Sequence, residues 1–268
     1  MKYKFNTEQH LHTLDDRPLT GTSSIGKILG NPGLVWWASG KACEKLGWTN
    51  GKIKVDGKYQ NVPPEKRIPV AEEMHDKICS MNVSEYLELL DTAYKAHRTT
   101  LQEAAEAGTD LHAELEDYVK AMMKLKPIRK YDEKIQPFID WADENVKKFL
   151  WSEAHCFDEE LWVGGISDAG AELNDGKIAV IDFKSAKDAY PSHFLQTGGY
   201  SIQINKNGLW DEGGVKNKKL EKPVDTLLVV PFGAKVVEPV PRYDVEAYQQ
   251  GFRNAVSLYR LLGFEGAN

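Results

Sequence analysis

The stretch from Gly164 to Tyr200, GGISDAGAELNDGKIAVIDFKSAKDAYPSHFLQTGGY, constrains the fold more than any other part of the chain. Within it, the turn signal Asn174-Asp175-Gly176-Lys177 separates a run headed by an aspartate from an apolar run ending in Asp182-Phe183-Lys184, the pattern of a β-hairpin. Side chains at i and i+2 of a strand project from one face, so Asp182 and Lys184 point together while Ile181 and Phe183 point the other way. The hairpin is expected to bring Asp168 beside Asp182. Two converging carboxylates make a hard-oxygen site for a divalent cation that also binds phosphate, the chemistry of metal-assisted phosphodiester hydrolysis.

Upstream, two helices are expected from Ser84. The second starts at a capping box, Thr100-x-x-Glu103, and runs to about Lys124 with Leu111, Leu115, Tyr118 and Met122 on its apolar side. Gly108, His112 and Glu116 follow at i, i+4 spacing and share a face. Taken alone, a helical histidine is usually a surface or internally satisfied residue. A third helix is expected over 132–150, then strands over 151–157, 160–166, 168–173 and 177–184, the first of them carrying Glu153. Gln196 and Tyr200 are i, i+4 on a helix interrupted by Gly198-Gly199, which costs about 1 kcal/mol per glycine and suits a place where another backbone comes close. A buried strand over 224–232, a partner over 234–240 and an amphipathic helix over 244–262 complete the chain.

The order Gly108-x-x-x-His112, Asp168, Asp182-x-Lys184, Gln196-x-x-x-Tyr200 resembles the PD-(D/E)xK nuclease superfamily, specifically its RecB-type branch, which includes stand-alone viral exonucleases. The resemblance covers roughly residues 98 to 205, and the position before the first aspartate is Ser167 where the superfamily's name has proline. It implies an α/β fold, a mixed central β-sheet flanked by helices with a restriction-endonuclease-like core over 99–268, after an N-terminal helical and loop region over 1–98. His112, Asp168, Asp182 and the backbone carbonyl of Phe183 would hold Mg²⁺ or Mn²⁺, with Glu153 as an auxiliary ligand or simply an acid on a half-exposed strand. Lys184 would orient or deprotonate the attacking water or stabilise charge on the phosphate, and Gln196 and Tyr200 would hold DNA beside the site. The activity implied is that of a metal-dependent DNA exonuclease. An endonuclease with the same residues, or a DNA-binding or assembly protein on a degenerate nuclease fold, stays open. Partners implied are DNA, a single-strand annealing or single-strand binding protein, and further copies of the chain.

Other features set bounds. Relatives that carry an iron–sulfur cluster use four cysteines, and Cys43, Cys79 and Cys156 are scattered, so no cluster is expected. No ATP requirement is expected either, since no helicase motif is present; the Gly21…Gly26-Lys27 stretch has Ile28 where a phosphate-binding loop needs Ser or Thr, and reads as a capped short helix. A formal charge of −6 confines nucleic-acid contacts to local basic paths. Candidates are Lys120, Lys124, Lys126, Arg129 and Lys130, and the four-lysine loop 211–222. Trp36 and Trp37 serve either core packing or base stacking. His10, His12, Asp15 and Asp16 would be the site of a metal hydrolase of another kind, against the plainer reading of an exposed segment. Lacking an apolar leader or a membrane span, the protein is expected to be soluble and cytoplasmic in its host cell.

Overall fold

The computed structural model describes residues 2–29, 32–48, 52–55, 58–61, 63–233 and 238–264. It divides into two units, Met1–Gly30 with Ala107–Asn268, and Asn31–Glu106. In the first, β1 (Tyr3–Asn6), β2 (Leu11–Leu14) and β3 (Arg17–Pro18) form a small antiparallel sheet, followed by β4 (Thr20–Gly21) and the short α1 (Thr22–Ile25). The second unit holds α2 (Pro32–Lys45), the hairpin β5 (Lys52–Val55) and β6 (Lys58–Asn61), α3 (Pro64–Ser80) and the start of α4 (Val83–Met122). The dipeptide Asp56-Gly57, a turn signal in the sequence, lies outside the described residues. The first unit resumes with the rest of α4, then α5 (Gln136–Asn145), β7 (Val146–Asp158), β8 (Val163–Leu173), β9 (Ile178–Lys184), α6 (Pro191–Asn207), β10 (Leu209–Trp210), β11 (Lys216–Lys218), β12 (Thr226–Pro231), β13 (Val240–Arg242) and α7 (Val245–Leu261). No helix of the described residues is long and apolar enough to cross a membrane.

The chain is a mixed α/β protein. Its main sheet runs β11-β10-β7-β8-β9-β12-β13, with β12 parallel to β9, β4 parallel to β8 and the other pairs antiparallel. The alternation of β9 sorts its two faces. Ile181 and Phe183 join Leu115, Tyr118 and Val119 of α4 and Phe138 of α5 in one core. Ile178 and Val180 join Phe194, Tyr200 and Ile204 of α6 in another. Asp182 and Lys184 share the parity of this second face, so the polar pair is set into the layer between sheet and α6.

Four expectations need correction. The capping box does not begin a helix: α4 is one 40-residue helix, and Thr100 lies inside it with its Oγ1 donating to Ala96 O at 3.0 Å. With no proline between Ser84 and Lys124, nothing stops the helix where the pattern suggested a start. The helix expected to reach 150 ends at Asn145, because the hairpin turn engages its end: Asn174 donates from N to Asn145 O and from Nδ2 to Glu144 O. Val146 and Phe149 therefore belong to β7. The runs 160–166 and 168–173 are a single strand, β8, since Ser167 is no break and its Oγ accepts from Trp151 Nε1 at 3.1 Å. Lastly, α1 has no Ser or Thr cap; Gly21 occupies the N-cap. Of the strand expected over 234–240, residues 234–237 lie outside the described residues, and β13 starts at Val240.

The glycine pair of α6 is accounted for by its neighbour α7. A Cβ on Gly198 would stand 2.9 Å from the Tyr248 carbonyl carbon, and one on Gly199 2.6 Å from the Phe252 ring. Gly198→Ala gains about 1 kcal/mol of helix propensity but meets backbone that cannot yield, which costs about 1–3 kcal/mol. The variant should therefore have a lower midpoint in urea unfolding at unchanged slope.

Candidate functional site

Strand pairing aligns three carboxylates across three strands. Ser152 pairs with Ala169 and Ala154 with Ser167, which sets Glu153 opposite Asp168. Pairing of β8 with β9 runs from Glu172↔Ile178 to Ala169↔Ile181, and the next step sets Asp168 opposite Asp182. Beyond that step β9 leaves β8, and β4 takes its place at Val163 and Gly164. The sheet thus opens at Asp168. Its Oδ2 fills part of the opening by accepting from Phe183 N at 2.7 Å.

Helices supply the rest. His112 reaches in from α4, with Nε2 3.4 Å from Asp168 Oδ2 and its ring edge-on to Phe183. From α6, Gln196 Nε2 donates to the Tyr200 hydroxyl at 2.9 Å. Gly165 makes room for that tyrosine: a Cβ there would lie 2.8 Å from Tyr200 Cε1 and 3.0 Å from Thr22 Oγ1. Asp168, Gln196, Tyr200 and Glu153 line one cleft of about 510 Å³. Lys184 Nζ lies 2.7 Å from both oxygens of the wholly buried Asp182 and donates to Oδ1.

Burial sets the proton affinities. It pushes the Asp182 carboxyl up to about 7 against the pull of Lys184, and Glu153 likewise to about 7, with the Asp168 charge adding to the rise. Burial works to lower the His112 and Lys184 values, yet both end above their ordinary ones, His112 through its hydrogen bond to Asp168 and Lys184 through the charges of Asp182 and Asp168. Tyr200 is raised well above the phenol range by burial, so it acts as a neutral hydrogen-bonding group.

Whether a cation fits follows from two buried acceptors. Asp182 Oδ2 and Glu153 Oε1 are out of contact with solvent and lack hydrogen-bond partners; Lys184 Nζ faces the first at 2.7 Å, whereas a buried carboxylate oxygen such as the second costs several kcal/mol unless something positive faces it. His112, Glu116 and Glu153 place one ligand atom each within 4.8 Å of one another, the only such trio of His, Cys, Asp or Glu among the described residues. This oxygen-rich set with one imidazole suits Mg²⁺ or Mn²⁺. Glu116 is a site residue that the sequence motifs did not nominate. Its signal was the i+4 spacing from His112. Glu153 holds a left-handed backbone, φ 50°, inside a strand.

Some sequence candidates fall elsewhere. Lys120, Lys126 and Arg129 are engaged by Glu116, Asp117 and Glu114 of α4 itself, so that part of the basic run is already neutralised. Trp36 is 80 % exposed while Trp37 is half-buried. The histidines and aspartates near the N-terminus do not form one site, and the segment is not simply exposed: His12 is buried against Tyr3, whereas Asp15 and Asp16 sit in an exposed turn. The sequence matches no protein-family model and no curated protein.

A carboxyl whose pKa is higher in the fold than in the unfolded chain favours folding while protonated and opposes it once ionised. In metal-free protein Asp182 should therefore subtract stability as pH rises from its ordinary 3.8 towards about 7, by up to about 1.4 kcal/mol per pH unit. Urea unfolding of parent and Asp182→Asn in chelator should show the parent losing ground to the variant over that window, and Mn²⁺ should reverse the loss in the parent alone.

Proposed function

We propose that the protein is a divalent-metal-dependent deoxyribonuclease of the PD-(D/E)xK kind, acting from DNA ends. The observation that carries this reading is the cross-strand row Glu153, Asp168, Asp182 with Lys184 against its last member and His112 against its middle one. Paired carboxylates alone would suit many metal sites. The lysine two residues beyond the buried aspartate, on the same face and at the open end of the sheet, supports hydrolysis of an anionic ester.

His112, Asp168, Asp182 and the Phe183 carbonyl would hold the cation, with Glu116 and Glu153 completing its surroundings. When bound, Mg²⁺ or Mn²⁺ neutralises charge on the phosphate and lowers the pKa of water. Lys184 is ammonium at neutral pH, since the neighbouring carboxylates raise its pKa. It orients the attacking water and faces the charge that grows on the phosphate oxygens. Gln196 Nε2 donates to the Tyr200 hydroxyl, which leaves the second amide N–H and the phenol O–H to donate to phosphate oxygens of the DNA backbone. His112 Nε2 lies 3.4 Å from Asp168 Oδ2, so a cation held by both would replace that contact. By the same resemblance, the DNA partner would be joined by a single-strand annealing or binding protein, and by further copies of this chain.

With end-labelled linear DNA and closed circles, cleavage should require Mg²⁺ or Mn²⁺, stop in chelator and spare the circles. Lys184→Ala should remain folded and lose at least about 2.7 kcal/mol in the chemical step, roughly a hundredfold in kcat. Undiminished turnover in excess EDTA would overturn the metal reading, and linearised circles would replace the end-directed mode with an internal one.

A further inference from the structure

The first half of α4 has two apolar faces, and only one of them is covered. Helical residues advance about 100° each, so Leu89, Ala93, Ala96 and Thr100 fall on one line along the helix. Ala93 and Ala96 are buried and the other two half-buried, which marks the side packed within the chain. About 110° round the helix runs a second line of Val83, Leu87, Leu90, Tyr94, His97 and Leu101. On it Val83 is 76 % exposed, Leu87 59 %, Tyr94 66 % and Leu101 48 %, with Leu90 and His97 half-buried between them. The steps alternate between four and three residues, the a and d spacing of helices that pair along their length. Single apolar residues scattered on a surface need no explanation, but a stripe of large ones does.

The stripe reads nearly alike in both directions about Thr92. Laid against a reversed copy of itself, Val83 meets Leu101, Leu90 meets Tyr94 and Leu87 meets the His97 ring. Charge favours the same arrangement. Glu88, Asp91, Lys95 and Arg98 border the stripe on one side, acids before bases along the helix. In an antiparallel pair that border faces its own counterpart, and Glu88 comes level with Ala96, one residue from Lys95. Lys95 already holds Asp91 of its own helix, and Glu88 of the second copy would join them. A parallel pair would set Glu88 beside Glu88 and Lys95 beside Lys95. A border with two acids and two bases also suits neither a membrane surface, which selects a polar face rich in lysine and arginine, nor a run of phosphates.

We propose that this stripe is the interface of an antiparallel homodimer, α4 against α4 about a twofold axis near Thr92. The pairing does not depend on the chain being a nuclease. The helix is already formed and its other face already packed, so association need not meet the cost of nucleating it. The stripe is about 27 Å long and one helix wide, at the small end of protein interfaces. The dimer should therefore form in the micromolar range and come apart on dilution.

Sedimentation of the full chain from about 1 to about 100 µM tests this. The mass should rise from 30.2 kDa towards twice that value. Tyr94→Glu, at an exposed position and checked as folded by circular dichroism, should weaken the dimer at least about tenfold. Glu88→Lys and Lys95→Glu should each weaken it about fivefold, and the two together should restore it, because exchanging both charges rebuilds the pair across the twofold. A monomer throughout the range, a dimer untouched by Tyr94→Glu, or a double exchange no better than its singles overturns the interface. So does a monomer that binds phosphatidylglycerol vesicles and loses that binding in Tyr94→Glu, which gives the face to lipid.

Discussion

An aspartate with no exposed surface sits on the central strand of this protein, and most of what surrounds it makes that position tenable. Asp182 is flanked in β9 by Ile181 and Phe183, which fix the strand by burial in the core beneath α4 and α5. Their burial forces Asp182 to the opposite face, where Lys184 is the one charged neighbour on its own strand. Removing either side of such a buried pair while keeping the other typically costs 3–5 kcal/mol, so aspartate and lysine are bound to one another's presence. The lysine hydrogen-bonds Oδ1 and faces Oδ2 at the same 2.7 Å as an ion pair, without a hydrogen bond to it.

What could be read from the chain before its structure was known follows a simple rule. Signals with period two, or tied to one tight turn, translated directly: Asn174-Asp175-Gly176 makes the hairpin, and β9 points Asp182 and Lys184 as alternation requires. Gly198 and Gly199 marked a close helix approach, and α7 is the backbone that approaches. Signals that depend on where an element stops translated poorly. Thr100-x-x-Glu103 is a valid cap pattern embedded in a helix that nothing interrupts. Val146 and Phe149 fit a helical face as well as a strand, and only the long-range bonds from Asn174 decide between them.

The N-terminal segment was illegible for another reason. Residues 3–14 carry polar and aromatic side chains in no period that favours burial, yet Tyr3, His12 and Leu14 are buried. Their partners, His155, Phe157 and Trp210, lie more than a hundred residues away and come from two strands of the main sheet. Contacts of that separation leave no trace in local pattern. Glu116 lies between the two cases: its spacing from His112 was visible, but only the fold brings Glu153 across to make the spacing matter.

The left-handed backbone at Glu153 bears on how the chain can change. A side chain bearing a Cβ in that region costs about 1–2 kcal/mol, and glycine or asparagine would occupy it with less strain. Selection for stability alone would drive the position towards those residues. A glutamate kept there holds back a reserve of stability that one base change towards glycine could release, and the carboxylate row would be broken in the same step. Among replacements at this position, then, the more robust protein and the one that keeps the carboxylate row are different sequences.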